Sequence, residues 1–169
     1  WEPPQYAHLP LILNPDKSKL SKRQGDVGVE DYQKKGYLPA ALVNFIAFCG
    51  WNPGTEKELY SMDELIKDFS LDKVSKSGAV FNIEKLNWFN KKYVEKMDDN
   101  AFLAYARPFL PKDVQEGIIT KVLLLIKEKI SVSSEIPELF KTELAFVYPT
   151  SAYDKNKLMW KQETDIQNS

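Results

Sequence analysis

The sequence contains a single cysteine, Cys49, and a single histidine, His8, among its 169 residues. One cysteine excludes a disulfide within the chain and a cysteine-based zinc site, and such sparing use favours a reducing compartment. No group of His, Cys, Asp and Glu has the spacing of metal ligands, so we expect no metal site. His8 has no aspartate and nucleophile placed around it, so we interpret it as a hydrogen-bonded structural histidine.

Long apolar runs and an excess of charge are missing as well. No stretch approaches the ~18 uninterrupted apolar residues of a membrane span, and the N-terminus lacks the charged and apolar segments of a signal peptide. The 23 Lys and Arg nearly balance the 24 Asp and Glu, which excludes a wholly basic nucleic-acid-binding surface but permits a local basic patch. Signatures of serine hydrolases, zinc proteases, P-loops and dinucleotide-binding folds are absent too.

What the sequence does contain is helical periodicity. Apolar residues recur at helical spacing over 38–49, with Pro39 in the first turn. Ser61 and Glu64 have the spacing of a capping box, which predicts a helix over 62–69. Further helices are predicted over 29–35, with Gly36 as the C-cap, and over 83–96, 100–110, 114–130, 141–148 and 154–169.

The remaining pattern is one short apolar run over 8–13, which predicts a strand that Pro10 confines to a sheet edge or to a strand start. We therefore expect an all-α fold with at most this one strand. A polar break at 97–99 divides the helices into two blocks. The opening Trp-Glu-Pro-Pro, without an initiator methionine, is typical of a piece cut from a longer protein.

A basic loop is the first candidate site. Residues 14–28 are polar and include prolines and glycines, and three cations and a hydroxyl lie within five residues there: Lys19, Ser21, Lys22 and Arg23. Cations on a loop after an edge strand, with small residues that let the backbone approach closely, suit the binding of a polyphosphate. The alternative is a solvated basic loop without a ligand.

A second basic cluster is the candidate RNA contact. It comprises Lys85, Lys91, Lys92 and Lys96 on a predicted helix, interleaved with asparagine and aromatic residues, and Lys76 in the Ser-Lys-Ser-Gly stretch before it. Lysines and asparagines of this kind can contact phosphate, and an exposed aromatic can stack on a base. The alternative is a solvated helix face whose aromatics point into the core, which we prefer for Trp88 and Phe89.

Three blocks of the sequence resemble the glutamyl-tRNA synthetase family, which belongs to the class I aminoacyl-tRNA synthetases. Residues 6–13 followed by 19–26 resemble the second class I motif, the Lys-Met-Ser-Lys-Ser loop, in its glutamyl form. Residues 36–51 resemble the helix that follows in these enzymes, and residues 75–90 resemble a third family block. Together and in this order the three blocks are highly specific, although the resemblance is thin over 98–169.

The resemblance implies a domain organisation. Residues 1–26 would end the catalytic domain, 27–97 would form the helical stem-contact domain, and 98–169 would begin a helical anticodon-binding domain that is incomplete here. The first class I motif, His-x-Gly-His, cannot occur in a chain whose only histidine is His8. The resemblance thus implies that most of the catalytic Rossmann domain lies outside this chain, and we expect the chain alone to be inactive.

The resemblance also implies a reaction, in which glutamate and ATP give glutamyl-adenylate and the glutamyl group then passes to tRNA-Glu. Lys22 would stabilise the departing pyrophosphate with help from Lys19, while Ser21 would shape the loop, and Lys19, Ser21, Lys22 and Arg23 would bind ATP. ATP is expected as a substrate, with Mg²⁺ in the full enzyme and no zinc in this chain. We expect L-glutamate and tRNA-Glu as partners, no membrane, a monomer, and the cytoplasm, with an organelle as the alternative.

Two other functions stay open. A non-catalytic tRNA-binding module would have no need for an intact pyrophosphate-handling loop, which this sequence keeps. A glutaminyl-tRNA synthetase is the nearest rival within the class, but its anticodon region is a β-barrel in that family, whereas residues 98–169 are predicted to be helical.

Overall fold

The computed structural model of the protein describes residues 1–4, 6–21, 28–112, 114 and 116–147. Within them the chain is helical apart from a two-stranded sheet, so the predicted all-α class is confirmed. The elements are β1 (Ile12–Leu13), α1 (Val29–Lys35), α2 (Pro39–Phe48), α3 (Met62–Asp68), β2 (Ala79–Val80), α4 (Ile83–Glu95), α5 (Asp99–Ala106), α6 (Glu116–Ile126) and α7 (Ile136–Lys141). No helix in these ranges has the length and apolar character needed to cross a membrane.

Local sequence explains where several helices begin and end. Gly36 ends α1 with a φ of 85°, in the left-handed region that favours glycine, as predicted. The predicted capping box of α3 is complete, since the Glu64 backbone N–H donates to Ser61 Oγ at 3.2 Å and the Ser61 backbone N–H donates to the Glu64 carboxylate at 2.9 Å. The side chains of Asn82 and Asp98 cap α4 and α5 by accepting from the backbone N–H groups of Lys85 and Ala101.

Some predicted boundaries are wrong. The helix predicted over 100–110 gives way to a 3₁₀ turn at Arg107–Phe109, where Pro108 interrupts it. The helix predicted over 114–130 is confined to α6. In place of a helix over 141–148, α7 occupies Ile136–Lys141 with a proline in its first turn, and a 3₁₀ turn follows at Ala145–Val147. The helix predicted over 154–169 lies outside the described residues.

The sheet has a second strand that the sequence did not predict, so the expectation of at most one strand is wrong. Strand β2 pairs with β1 in parallel, with Ile12 opposite Ala79. The Ala79 backbone N–H donates to the Leu11 carbonyl at 3.1 Å, and that of Phe81 donates to the Leu13 carbonyl at 2.7 Å. Two residues are too few for a period-2 pattern to be visible, which is why β2 escaped prediction.

The buried side chains form an N-terminal and a C-terminal core. The N-terminal core is rich in aromatic residues and has a small satellite around Trp51; its members are Tyr32, Tyr37, Leu42, Phe45, Leu86, Phe89 and Val132. The C-terminal core is mainly aliphatic and spans residues from Val94 to Val147. We call residues 28–97 the N-terminal block and residues 98–147 the C-terminal block. Val94 and Val132 each lie in the core of the other block, so the two blocks interlock.

Candidate functional site

The basic loop begins with a tight hairpin that follows β1. The Asn14 backbone N–H donates to the Ser18 carbonyl at 2.8 Å, and that of Leu20 donates to the Ile12 carbonyl at 3.1 Å. Lys19 forms an antiparallel bridge with the strand residue Leu13. The chain therefore doubles back at once, and the backbone of Lys19 is fixed beside the strand.

Asp16 and Ser18 hold the tip of this hairpin. The Asp16 carboxylate accepts a hydrogen bond from the Ser18 hydroxyl at 2.6 Å and one from the Ser18 backbone N–H at 2.9 Å. These bonds favour the ionised carboxylate and lower the pKa of Asp16. Lys17 lies between them with a φ of 68°. Asn-Pro-Asp over 14–16 is a turn signal that is visible in the sequence, whereas the role of Ser18 becomes visible only in the fold.

Strand β2 anchors the hairpin to the N-terminal block through a close approach at Gly78. A Cβ atom at Gly78 would lie 2.7 Å from Leu13 Cδ1 and 3.1 Å from the Leu11 carbonyl oxygen. Only a residue without a side chain lets the two segments come this close without a shift. The residue preceding β2 therefore sets how tightly the hairpin sits on the rest of the molecule.

The structure places part of the predicted phosphate-binding set. Lys19 is exposed and forms no ion pair with a described residue, and Ser21 is half-buried two residues further on. Lys22 and Arg23 lie outside the described residues. The roles assigned to Lys19, Ser21, Lys22 and Arg23 therefore stay predictions, with the entry to the loop defined by the hairpin.

The predicted RNA-binding lysines divide into two kinds. Lys85 Nζ lies 2.5 Å from Glu58 Oε1 and 4.4 Å from the centre of the Trp88 ring, and Lys92 Nζ lies 2.7 Å from Glu95 Oε2. The remaining three, Lys76, Lys91 and Lys96, form no ion pair with a described residue; Lys76 and Lys96 are exposed and Lys91 is half-buried. Phe89 is fully buried, as predicted, while Trp88 is only half-buried.

The single histidine and the single cysteine of the sequence do not belong to the predicted phosphate-binding and RNA-binding sets. His8 is exposed and has no hydrogen bond to a described residue, so it is not the hydrogen-bonded histidine that we expected. Cys49 is half-buried, and burial raises the pKa of its thiol to about 11, which keeps it protonated at neutral pH. Within the described ranges, no three of His, Cys, Asp and Glu are grouped so that they could hold a metal ion.

Comparison with known proteins gives one consistent result. A family model for the catalytic domain of class I tRNA synthetases (E and Q) matches residues 1–88. The chain is 43% identical over 98% of its length to a glutamate–tRNA ligase of Chlorobium phaeobacteroides, of which it covers 36%. It is 47% identical over 82% of its length to a glutamate–tRNA ligase of Clostridioides difficile, of which it covers 30%.

A solved structure agrees with these sequence relatives. The crystal structure of a glutamate tRNA ligase from Elizabethkingia meningosepticum, in complex with its amino acid, matches 97% of this chain with a TM-score of 0.73 and 35% identity. The chain covers 37% of that protein. It thus spans about a third of the length of the relatives it matches.

Proposed function

The chain belongs to the class I tRNA synthetases of the glutamate and glutamine type, and we propose that it is part of a glutamate–tRNA ligase. In the proposed reaction a glutamate carboxylate oxygen attacks the α-phosphorus of ATP, the bond to the bridging oxygen breaks, and pyrophosphate leaves. The terminal adenosine hydroxyl of tRNA-Glu then attacks the carbonyl of the glutamyl-adenylate, and AMP leaves.

The hairpin that presents Lys19 is the observation that carries this proposal. It ends at the first residue of the Lys-Leu-Ser-Lys-Arg loop, which lies within the part of the chain that the family model matches. Negative charge moves onto the bridging oxygen as pyrophosphate departs, so cations positioned on that side lower the barrier. We assign this role to Lys22, with Lys19 in support, because an ammonium on a flexible stem can follow a moving phosphate.

The other ATP contacts are assigned to Ser21 and Arg23. Among the described residues, no three of His, Cys, Asp and Glu are grouped so that they could form a metal site by themselves. In this proposal Mg²⁺ would be carried by the phosphates of ATP, as is usual for this ion. Mg²⁺ would supply further neutralisation of the phosphate charge when it is bound.

The tRNA is proposed to contact both blocks. Residues 27–97 would act as the stem-contact domain, residues 98–169 would begin the anticodon-binding domain, and residues 1–26 would end the catalytic domain. Lys76 and Lys91 are the preferred phosphate contacts because they need not leave an ion pair first, and Lys85 and Lys92 are secondary. We further propose a cytoplasmic monomer.

The fold of the C-terminal block favours glutamate over glutamine as the amino acid substrate in this proposal. The described part of the C-terminal block is helical, with α5, α6 and α7, and contains no strand. A β-barrel would be expected in this region for a glutaminyl-tRNA synthetase. A non-catalytic tRNA-binding module is disfavoured because the Lys-Leu-Ser-Lys-Arg sequence is complete.

A charging assay tests the proposed function directly. The full-length protein that contains this chain is incubated with ATP, tRNA-Glu and radioactive glutamate or glutamine, and acylated tRNA is collected on filters. We expect charging with glutamate only, and none by the 169-residue chain alone. Charging with glutamine, no charging by the full-length protein, or charging by the chain alone would each contradict the proposal.

A further inference from the structure

The side chain of Asn14, the first residue after β1, holds the segment of the hairpin that returns toward the strand. Its amide Nδ2 donates to the Ser18 hydroxyl at 2.9 Å and to the Lys19 carbonyl at 3.4 Å. Its backbone adds two more bonds, since its N–H donates to the Ser18 carbonyl at 2.8 Å and its carbonyl accepts from the Lys17 N–H at 2.9 Å. One residue therefore contacts three consecutive residues of the returning segment.

The Ser18 hydroxyl fixes the orientation of this amide. Its single proton is donated to the Asp16 carboxylate at 2.6 Å, so the hydroxyl can only accept from Asn14. The atom of Asn14 that faces Ser18 must therefore be the donor Nδ2, which can also donate to the Lys19 carbonyl. The carboxylate, the hydroxyl and the amide thus form a chain of hydrogen bonds that ends at the backbone of Lys19.

The peptide unit between Lys19 and Leu20 is held at both of its polar atoms. Its carbonyl oxygen accepts from Asn14, and its N–H donates to the Ile12 carbonyl at 3.1 Å. A peptide unit is planar, so two fixed atoms determine its orientation and with it the position of the Lys19 Cα. All the residues of this arrangement belong to the described part of the chain, and the link from Asn14 to Lys19 is direct.

The Lys19 side chain extends from this fixed backbone without a carboxylate partner. It is exposed and forms no ion pair with a described residue. An ammonium on a flexible stem reaches a phosphate from a region that its Cα determines. A displacement of about 1 Å can reduce the rate of a reaction between positioned groups by up to ~100-fold. The placement of the Lys19–Leu20 peptide unit therefore bears on the role assigned to Lys19.

We propose that Asn14 is a positioning residue for Lys19: its amide holds the Lys19–Leu20 peptide unit, so that the Lys19 ammonium meets the phosphates of ATP from a fixed point. The inference rests on the proposed function, because it needs ATP to be the ligand of Lys19. The competing explanation is that Asn14 only closes the turn before Pro15 and stabilises the hairpin. The two explanations differ in whether loss of the amide matters when the charge of Lys19 is already absent.

The chain offers a matched control for Asn14→Ala. Asn52 also precedes a proline in a turn, and its Oδ1 accepts from the Gly54 backbone N–H at 2.8 Å. Among the described residues, none of its hydrogen bonds reaches the hairpin over 14–21. Asn14→Ala and Asn52→Ala therefore remove the same group from the same kind of turn, and both should lower the thermal midpoint slightly.

Each substitution is made in the full-length ligase, alone and together with Lys19→Gln, and kcat/KM for ATP is measured with tRNA present at a temperature where all variants are folded. We expect Asn14→Ala alone to lower kcat/KM for ATP about fivefold, as for the loss of about one hydrogen bond. Added to Lys19→Gln, it should change the value by less than about twofold, because the charge that it positions is already gone. Asn52→Ala should stay within about twofold in both backgrounds, and KM for tRNA should stay within about twofold in Asn14→Ala.

Equal losses from Asn14→Ala in the two backgrounds would overturn the inference, because the amide would then act independently of Lys19. An unchanged kcat/KM in Asn14→Ala, an equal loss in Asn52→Ala, or an unchanged kcat/KM in Lys19→Gln would overturn it too. A wild-type full-length protein that does not charge tRNA would instead reject the proposed function. The failure of the inference and the failure of the function are therefore distinguishable.

Discussion

The hairpin over 14–21 and the outward face of α4 both carry lysines, but in different electrostatic surroundings. Lys17 and Lys19 of the hairpin are exposed and form no ion pair with a described residue. On α4, Lys85 pairs with Glu58 and Lys92 pairs with Glu95. Lys17 and Lys19 are therefore available to an added anion, whereas two of the lysines on α4, Lys85 and Lys92, are already neutralised.

This difference shows that the number of cations in a stretch does not measure its affinity for phosphate. A lysine without a carboxylate partner can attract a phosphate directly, whereas a paired lysine must first exchange one anion for another. Lys76 and Lys91 are unpaired among the described residues, so we group them with the hairpin lysines. Two of the predictions that follow, on tRNA binding and on Lys19 against Lys85, test whether ion pairing ranks these lysines.

The largest effect is expected at Lys22, whose assigned role is the departing pyrophosphate. In the full-length ligase, Lys22→Ala should lower the rate of adenylate formation about 10²- to 10³-fold, because stabilisation of the developing charge is lost. Pyrophosphate exchange in the presence of tRNA measures this rate. Lys17→Ala, which removes an exposed cation from the same hairpin, is the control and should stay within about threefold of the wild type. Equal losses in the two variants would refute the assignment.

The anchoring of the hairpin can be broken at Gly78. Gly78→Ala places a methyl group against Leu13 and the Leu11 carbonyl and should destabilise the chain by about 1–3 kcal/mol. Gly117→Ala is the matched control, since a Cβ at that position in α6 meets nothing within 4 Å. It should stabilise the chain by about 0.5–1 kcal/mol, because alanine is the better helix former. Urea unfolding measures the change in the free energy of unfolding for both variants, which should have opposite signs. If Gly78→Ala left the free energy of unfolding unchanged, β1 and β2 would not pair as described.

Ion pairing with a carboxylate should also determine how much each lysine contributes to tRNA binding. Lys76→Ala and Lys91→Ala should each weaken binding and reduce the slope of log K against log salt by about 1, as expected for one lost phosphate contact. Lys85→Ala should change that slope by less, because Lys85 is already paired with Glu58. Filter binding of tRNA-Glu to the full-length protein over a series of salt concentrations gives the slopes. A larger change for Lys85→Ala would reverse the ranking.

The smallest effect concerns a paired carboxylate on α3. Hydrogen bonds from Lys57 and from the Ser61 backbone lower the pKa of Glu64 from an ordinary 4.5 to about 2. A lowered pKa in the folded state means that Glu64 contributes stability above pH 4.5, and that this contribution is lost as the pH falls toward 2. In Glu64→Gln the loss of stability across this window should be shallower, as thermal unfolding at several pH values can measure. An unchanged profile would show that the pair adds nothing to stability.

Features that depend on neighbouring residues could be predicted from the sequence, and features that depend on distant residues could not. The Gly36 cap, the Ser61–Glu64 box and the helix predicted over 83–96 depend on residues within a few positions of each other. The structure confirms them, with α4 ending at Glu95. Strand β2 depends on pairing with a distant segment, and no local pattern in the sequence predicted it. Pro137 belongs to the first turn of α7, whereas the predicted helix began after it, at residue 141.

The same distinction between local and distant residues applies to the candidate site. The basic loop could be located from sequence because its residues are consecutive. The ion pairing of Lys85 could not be predicted from sequence, because its partner Glu58 lies 27 positions away and only the fold brings the two together. Asn90 belonged to the asparagines that we considered as RNA contacts, but its side chain is fully buried and bonds to Leu38, Ser131 and Tyr105 from three separate segments, which only the fold brings together. Availability of a charge is a property of the folded chain, and a single sequence does not display it.

One measurement tests the contrast between the two regions most directly. Lys19→Gln and Lys85→Gln remove the same charge from the hairpin and from α4, and kcat/KM for ATP is determined for both in the full-length ligase with tRNA present. We predict a loss of about tenfold or more for Lys19→Gln, and a value within about twofold of the wild type for Lys85→Gln. Equal losses, or a larger loss for Lys85→Gln, would contradict the account, because the unpaired hairpin lysine would then be no more engaged with phosphate than a paired one.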